Sequence, residues 1–156
     1  MAVKPVPDGY HSVTPYLIVK NAASAIEFYK KAFGATELFR MPGPGGKVMH
    51  AEIKIGDSVI MLADEFPQMD CLGPETRGGA TSSILLYVPD VDTFAKQVEA
   101  AGAKVLRPLQ DQFYGDRSAT YSDPFGHVWT VATHKEDLTP EEMDKRMAAM
   151  KGPGCE

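Results

Sequence analysis

His50 and Glu52 stand two residues apart in a segment, residues 48–55, that alternates in polarity. Met49, Ala51, Ile53 and Ile55 are apolar, whereas His50, Glu52 and Lys54 are polar. Successive side chains of a strand point to opposite faces, so His50 and Glu52 share a face. An imidazole with an ordinary pKa of about 6.5 beside a carboxylate has the chemistry for proton transfer, ligand contact or an unconventional metal chelate. The same residues are equally able to form a polar cross-strand pair, or a salt bridge with Lys54 or Arg40.

A second group lies in residues 111–117, where Phe113, Tyr114, Asp116 and Arg117 mix aromatic and charged side chains. There Arg117 offers a grip for an anion and Tyr114 a surface on which a flat ligand stacks. The alternative is local, with Asp116 and Arg117 fixing the turn and each other. His127 follows the turn Asp123-Pro124-Phe125-Gly126 and reads as a histidine bonding the turn backbone. Trp129 alternates with Thr130 and reads as core. The glycines of residues 42–46 precede no helix, so they lack the context of a phosphate-binding loop. No Gly-x-Ser-x-Gly occurs. Cys71 and Cys155 are far apart and suit neither a disulfide framework nor a zinc site.

The elements that must position these residues repeat. Residues 13–19 form a β-rich run containing Pro15, which suits an edge strand or a strand beginning. Asn21 stands where it would cap a helix over residues 22–33, with Ala25, Ile26, Tyr29 and Phe33 at helical spacing and Gly34 at its end. Strands follow over 36–41, 48–55 and 58–63, the last two joined by Gly56-Asp57. Residues 64–81 lack periodicity and read as a connector. The pattern then restarts with a strand over 82–88, a helix over 90–101 ending at Gly102, and strands over 104–109, 117–122 and 127–133. The order is βαβββ, connector, βαβββ, an internal duplication. In the tail, Thr139-Pro140-Glu141-Glu142 is a capping box, with Leu138 and Met143 placed as a hydrophobic staple. Met143, Met147 and Met150 form a stripe for packing on the domain or a partner, and Gly152-Pro153 stops the helix. The divisions are thus residues 1–12, 13–63, 64–81, 82–134 and 135–156.

The totals exclude several functions. The chain has 156 residues, 44% of them hydrophobic, which suits one domain or two half-domains sharing a core. A net charge of −5 disfavours nucleic acid and anionic membranes as partners and favours a neutral or cationic ligand. No apolar run approaches the roughly 20 residues of a membrane span. Residues 1–12 have no apolar core of a signal peptide, so a cytoplasmic location is expected.

Several stretches together carry a family likeness: Val13-Thr14-Pro15-Tyr16-Leu17-Ile18-Val19, Ala25-Ile26-Glu27-Phe28-Tyr29, Phe33-Gly34-Ala35, Met49-His50-Ala51-Glu52, Tyr114-Gly115-Asp116-Arg117 and Asp123-Pro124-Phe125-Gly126-His127. In this order and spacing they resemble the vicinal-oxygen-chelate superfamily of glyoxalase, bleomycin-resistance and dioxygenase-like proteins, and most of all its PhnB-like branch. The resemblance covers residues 13–134. It implies an α+β fold with two cupped, mostly antiparallel half-sheets, helices on the convex side and a ligand cavity on the concave side. Metal-using relatives place ligands on the first and last strands of each half, which implies Thr14, Met61, Ser83 and Thr130 here. Neutral hydroxyls and a thioether are poor ligands for zinc, nickel or iron, so no metal cofactor is expected.

The resemblance therefore implies a metal-independent protein that binds a small organic ligand, similar to the bleomycin-resistance proteins, with the cavity completed in a homodimer. The alternative is a glyoxalase- or dioxygenase-like lyase or isomerase with a rearranged site around His50 and Glu52. The expected ligand face holds Tyr16, His50, Glu52, Tyr87 and Thr130, with Tyr114 and Arg117 contributed by the loop before the final hairpin. Tyr16 and Tyr87 are expected at corresponding positions of the two halves.

Overall fold

A computed structural model of the chain describes residues 3–150. The first module comprises β1 (Tyr16–Val19), α1 (Ala22–Phe33), β2 (Thr36–Pro42), β3 (Val48–Ile55) and β4 (Ser58–Asp64). The segment after β4 holds a short turn of 3-10 helix, Pro67–Met69, and α2 (Pro74–Arg77). The second module comprises β5 (Ser83–Tyr87), α3 (Val91–Ala100), β6 (Lys104–Asp111), β7 (Asp116–Ser122) and β8 (Val128–His134), and α4 (Pro140–Met150) follows.

The two sheets have the same order, β1-β4-β3-β2 and β5-β8-β7-β6. In each, the first strand runs parallel to the last and the other pairs are antiparallel. The registers also correspond. Tyr16 faces Met61 across β1 and β4, as Leu85 faces Thr130 across β5 and β8. Tyr87 faces Ala132, as Ile18 faces Ala63, so Tyr87 is the counterpart of Ile18. The expected equivalence of Tyr16 and Tyr87 is corrected by two residues.

Local chemistry accounts for the helix limits. The Asn21 side chain accepts from Ser24 N at 3.0 Å, and Gly34 ends α1 in the left-handed region at φ +66°. The Asp90 side chain accepts from Thr93 N at 3.2 Å at the start of α3. At α4 the expected capping box forms, with Glu142 N donating to Thr139 Oγ1 and Thr139 N to Glu142 Oε2. Gly152 and Pro153 lie outside the described residues. Among those residues no helix is long and apolar enough to cross a membrane.

The helices α1 and α3 each cover one face of their own sheet. The core lies beneath the helices. Leu17, Val19, Ala51, Ile53, Ile60 and Leu62 pack against Ala25, Ile26, Tyr29 and Phe33. The modules meet through aromatic rings. Phe33 of α1 stacks with Phe94 of α3 at 6.3 Å between centroids and lies 4.4 Å from the Trp129 ring on β8. Asp123, buried at the turn before β8, accepts from Tyr29 Oη at 2.7 Å and Trp129 Nε1 at 2.9 Å. Its other oxygen accepts from Phe125 N and His127 N, both at 2.9 Å. The His127 Nε2 lies 3.0 Å from the Ile18 carbonyl, tying the edge of β1 to the second module.

Candidate functional site

Residues that face away from the helices are set by strand alternation. On β1 these are Tyr16 and Ile18, between the buried Leu17 and Val19. On β3 they are His50, Glu52 and Lys54, while Ala51, Ile53 and Ile55 are buried under α1. Met49 departs from the alternation expected of it. Pro42 pairs with Val48 and Met41 with His50, so Met49 is an extra residue in the ladder. This bulge leaves Val48 buried and turns Met49 outward, 45% exposed, toward Tyr16 and Ile18.

Tyr16, His50 and Glu52 come together. Tyr16 Oη lies 2.9 Å from His50 Nδ1, and His50 Nε2 lies 3.1 Å from Glu52 Oε1. The other Glu52 oxygen accepts from the hydroxyl of Tyr10, in the segment before β1. The Tyr10 bond, and then His50, hold the Glu52 carboxyl below the usual carboxylate range. The same contact raises Tyr10 above an ordinary phenol. Burial, and then the neighbouring Cys71, raise Tyr16. Each side chain in this row is fixed by the next.

The row borders an apolar cavity of about 500 Å³. Tyr16, Ile18, Met49 and Ala63 line it from the sheet, and Phe66, Met69 and Cys71 from the segment after β4. The expected connector is thus a wall of the site. Phe66 and Cys71 exchange backbone hydrogen bonds, with Phe66 N to Cys71 O at 2.9 Å and Cys71 N to Phe66 O at 3.2 Å. Asp70 between them takes φ +56°. Asp64 at the base is satisfied by Ala22 N at 3.0 Å and Val48 N at 2.7 Å.

Tyr87, Thr130 and Tyr114 belong to the second module. Tyr87 Oη donates to Asp116 Oδ2 at 2.9 Å, and His134 Nδ1 lies 2.7 Å from the other Asp116 oxygen. His134 Nε2 lies 3.0 Å from Asp137. The bond to Asp116, and then that to Asp137, raise His134 above an ordinary histidine. Thr130 shares a hydrogen bond with Thr120 across the sheet at 3.0 Å. Tyr114 packs edge-on against Phe113 at 5.3 Å.

Arg117 lies apart from these residues. It pairs with Thr133 on β8, whose hydroxyl accepts from Val91 N at the start of α3, so its side chain lies on the helix-covered face. There its guanidinium is held by Asp92 at 2.9 Å and Asp111 at 3.2 Å, away from the face that carries Tyr87 and Asp116. Asp116 and Arg117 do not fix each other, because neighbours on a strand point to opposite sides.

The four positions implied for metal do not fit one. The Thr14 hydroxyl donates to the His11 carbonyl at 3.3 Å, and Thr130 is taken up by Thr120. Met61 and Ser83 add a thioether and a hydroxyl. Among the described residues, no three His, Cys, Asp or Glu side chains gather as a metal site. The donor set has no imidazole, carboxylate or thiolate at these positions.

Sequence reasoning missed Tyr10, Phe66, Met69 and Cys71, and the pairing of Asp116 with His134. Only the last had a signal, since Asp116 and His134 both alternate onto the open face of β7 and β8.

An uncharacterized protein of Mycobacterium bovis, Mb0911c, is 44% identical over 147 residues, covering 92% of this chain and 94% of its own length. The crystal structure of TioX from Micromonospora sp. ML1 superposes with a TM-score of 0.64 at 28% identity, covering 80% of this chain and 98% of that one. The PhnB protein of Bacillus cereus shares the fold, with a TM-score of 0.61 at 16% identity, covering 79% of this chain and 99% of that one. The model of the Glyoxalase/Bleomycin resistance protein/Dioxygenase superfamily matches residues 9–131, and with the paired βαβββ modules in place the chain belongs to that superfamily.

Proposed function

We propose that the protein binds a small organic molecule, without a metal, in the cavity beside Tyr16, His50 and Glu52. The observation that carries this reading is an apolar cavity of about 500 Å³ lined by Tyr16, which is hydrogen-bonded to His50 and through it to Glu52. Such a combination of apolar walls and a few convergent polar groups suits an organic ligand. The donor chemistry at Thr14, Met61, Ser83 and Thr130 supports binding that does not pass through a metal. The reading places the protein with the bleomycin-resistance type of its superfamily rather than with the metalloenzymes.

A homodimer is part of the proposal. The chain exposes Tyr16, Phe39, Met41 and Met49 on the first sheet and Leu85 and Tyr87 on the second, each 45–59% accessible. Apolar surface of this kind on a sheet face calls for a cover, and a symmetric partner supplies one. In that arrangement Tyr87, Tyr114 and Thr130 would join a ligand site from the second module.

One observation favours the enzymatic alternative, a lyase or isomerase. His50 is held between a carboxylate and a phenol, the geometry of an oriented general base. Turnover that disappears with His50→Ala, under conditions where ligand is still bound, would select it.

The test is a screen of planar, mostly apolar molecules against protein treated with a chelator. Tyr16→Ala and His50→Ala are expected to weaken any hit by about tenfold to a hundredfold, with the thermal midpoint little changed. Hits that need added metal, or that ignore both substitutions, would refute the reading.

A further inference from the structure

We propose that the polar feature the cavity presents to its ligand is a hydrogen-bond acceptor, the Tyr16 oxygen, and that the site takes a largely apolar, neutral molecule carrying a hydroxyl donor, with phenols as the matching class. This deepens the small-molecule reading above and rests on it.

The direction of the hydrogen-bond row decides the matter. Tyr10 donates its hydroxyl proton to Glu52 Oε2. Glu52, held below the usual carboxylate range, is ionised at neutral pH and only accepts. Its Oε1 therefore takes the proton on His50 Nε2, at 3.1 Å. A neutral imidazole carries one N–H, so Nδ1 is left as a lone pair. At 2.9 Å from Nδ1, the Tyr16 hydroxyl must donate its proton there. Tyr16 has no second proton, and only its oxygen lone pairs remain for a ligand.

The other polar groups of the cavity do not compete. Both Asp64 oxygens are taken by Ala22 N and Val48 N. The Cys71 thiol is directed at the Met69 carbonyl, 3.7 Å away. Ile18, Met49, Ala63, Phe66 and Met69 are apolar and suit a flat ring, with two thioethers among them. Among the lining side chains an anion would meet the Tyr16 acceptor and no free donor. An ammonium would lose its hydration against these apolar walls. A hydroxyl attached to an aromatic ring satisfies both conditions, and a phenol donates more strongly than an alkyl alcohol. Hydrogen bonds in series polarise one another, so the donor bound at Tyr16 is strengthened by the row behind it.

Naphthol and its methyl ether share one ring system and differ by a single donor. Their binding to the full-length chain is read from naphthalene fluorescence at about pH 8. The expected result is that naphthol binds about tenfold more tightly than the ether. Tyr16→Phe is expected to bring that ratio to about one. Equal affinities in the unaltered chain, or a preference that survives Tyr16→Phe, would overturn the acceptor assignment and leave the small-molecule reading standing. Failure of both compounds to bind the unaltered chain would overturn that reading together with the assignment.

Discussion

Asp123→Ala should be among the most destabilising single substitutions in this chain, because one carboxylate joins the two modules. It accepts four hydrogen bonds, from Tyr29 Oη, Trp129 Nε1, Phe125 N and His127 N. Tyr29 and Trp129 are 0% and 1% exposed, so neither regains a water when the carboxylate is removed. Leaving a buried donor unsatisfied costs about 1–3 kcal/mol, and two such donors give about 2–6 kcal/mol. The two backbone N–H groups lie at a turn that water reaches, and their loss adds less. We therefore expect Asp123→Ala to lower the unfolding free energy by about 3–5 kcal/mol, a large share of the 5–15 kcal/mol typical of a domain. Asp123→Asn should cost about half as much, because its carbonyl still accepts from the turn while its amide opposes the Trp129 N–H. Urea denaturation followed by circular dichroism measures both, with the slope against denaturant checked for constancy. A loss below about 1 kcal/mol for Asp123→Ala would show that the surroundings relax around the missing acceptor, and the reasoning from buried donors would fail.

Three further outcomes follow from the geometry. His134, raised by Asp116 and then Asp137, should titrate in an NMR experiment above the ordinary histidine value of about 6.5, and Asp116→Asn should lower its midpoint. Because the folded value is the higher, the stabilisation from this contact is full below the unfolded value and disappears as pH rises through the folded one; a midpoint at or below the ordinary value would contradict it. Arg117→Ala should leave ligand affinity within about twofold of the unaltered chain, since its guanidinium serves Asp92 and Asp111 on the helix side, and a tenfold loss would return it to the site. Sedimentation at micromolar concentration should give twice the 17.0 kDa chain mass, and deletion of residues 136–156 should weaken the dimer if α4 covers part of it; a monomer would refute the dimer, and an intact dimer after deletion would remove α4 from it.

The fold was legible because its signals are local and repeated. Alternation marked β3, the Gly56-Asp57 turn marked the start of β4, helical spacing marked α1 and α3, and Asn21, Gly34 and Gly102 marked helix ends, whereas Asp90, read as part of the second helix, is its cap. The pairing of His50 with Glu52 was legible for the same reason, since it follows from a two-residue spacing on one strand. Contacts across the chain were not. Tyr10 reaches Glu52 over 42 positions from a segment with no periodicity. Phe66, Met69 and Cys71 lie in a stretch whose proline and glycine content signals a turn but not which wall it builds. Alternation set Met49 opposite His50 and Glu52, and a single extra residue in the ladder turned it to the cavity. Arg117 was assigned to the cavity by its residue type, although its position between Asp116 and Ser118 on β7 already sends it to the other face.

The most direct measurement is methyl NMR of methionine-labelled protein, in the presence of a chelator, during titration with naphthol. Met49 and Met69 line the cavity, whereas Met143 and Met147 stand on α4. Metal-free binding at the open face of the first sheet predicts saturable shifts at Met49 and Met69, unchanged by added zinc and lost when Tyr16 and His50 are replaced together by alanine. Shifts confined to the α4 methionines, or shifts that appear only when metal is supplied, would contradict it.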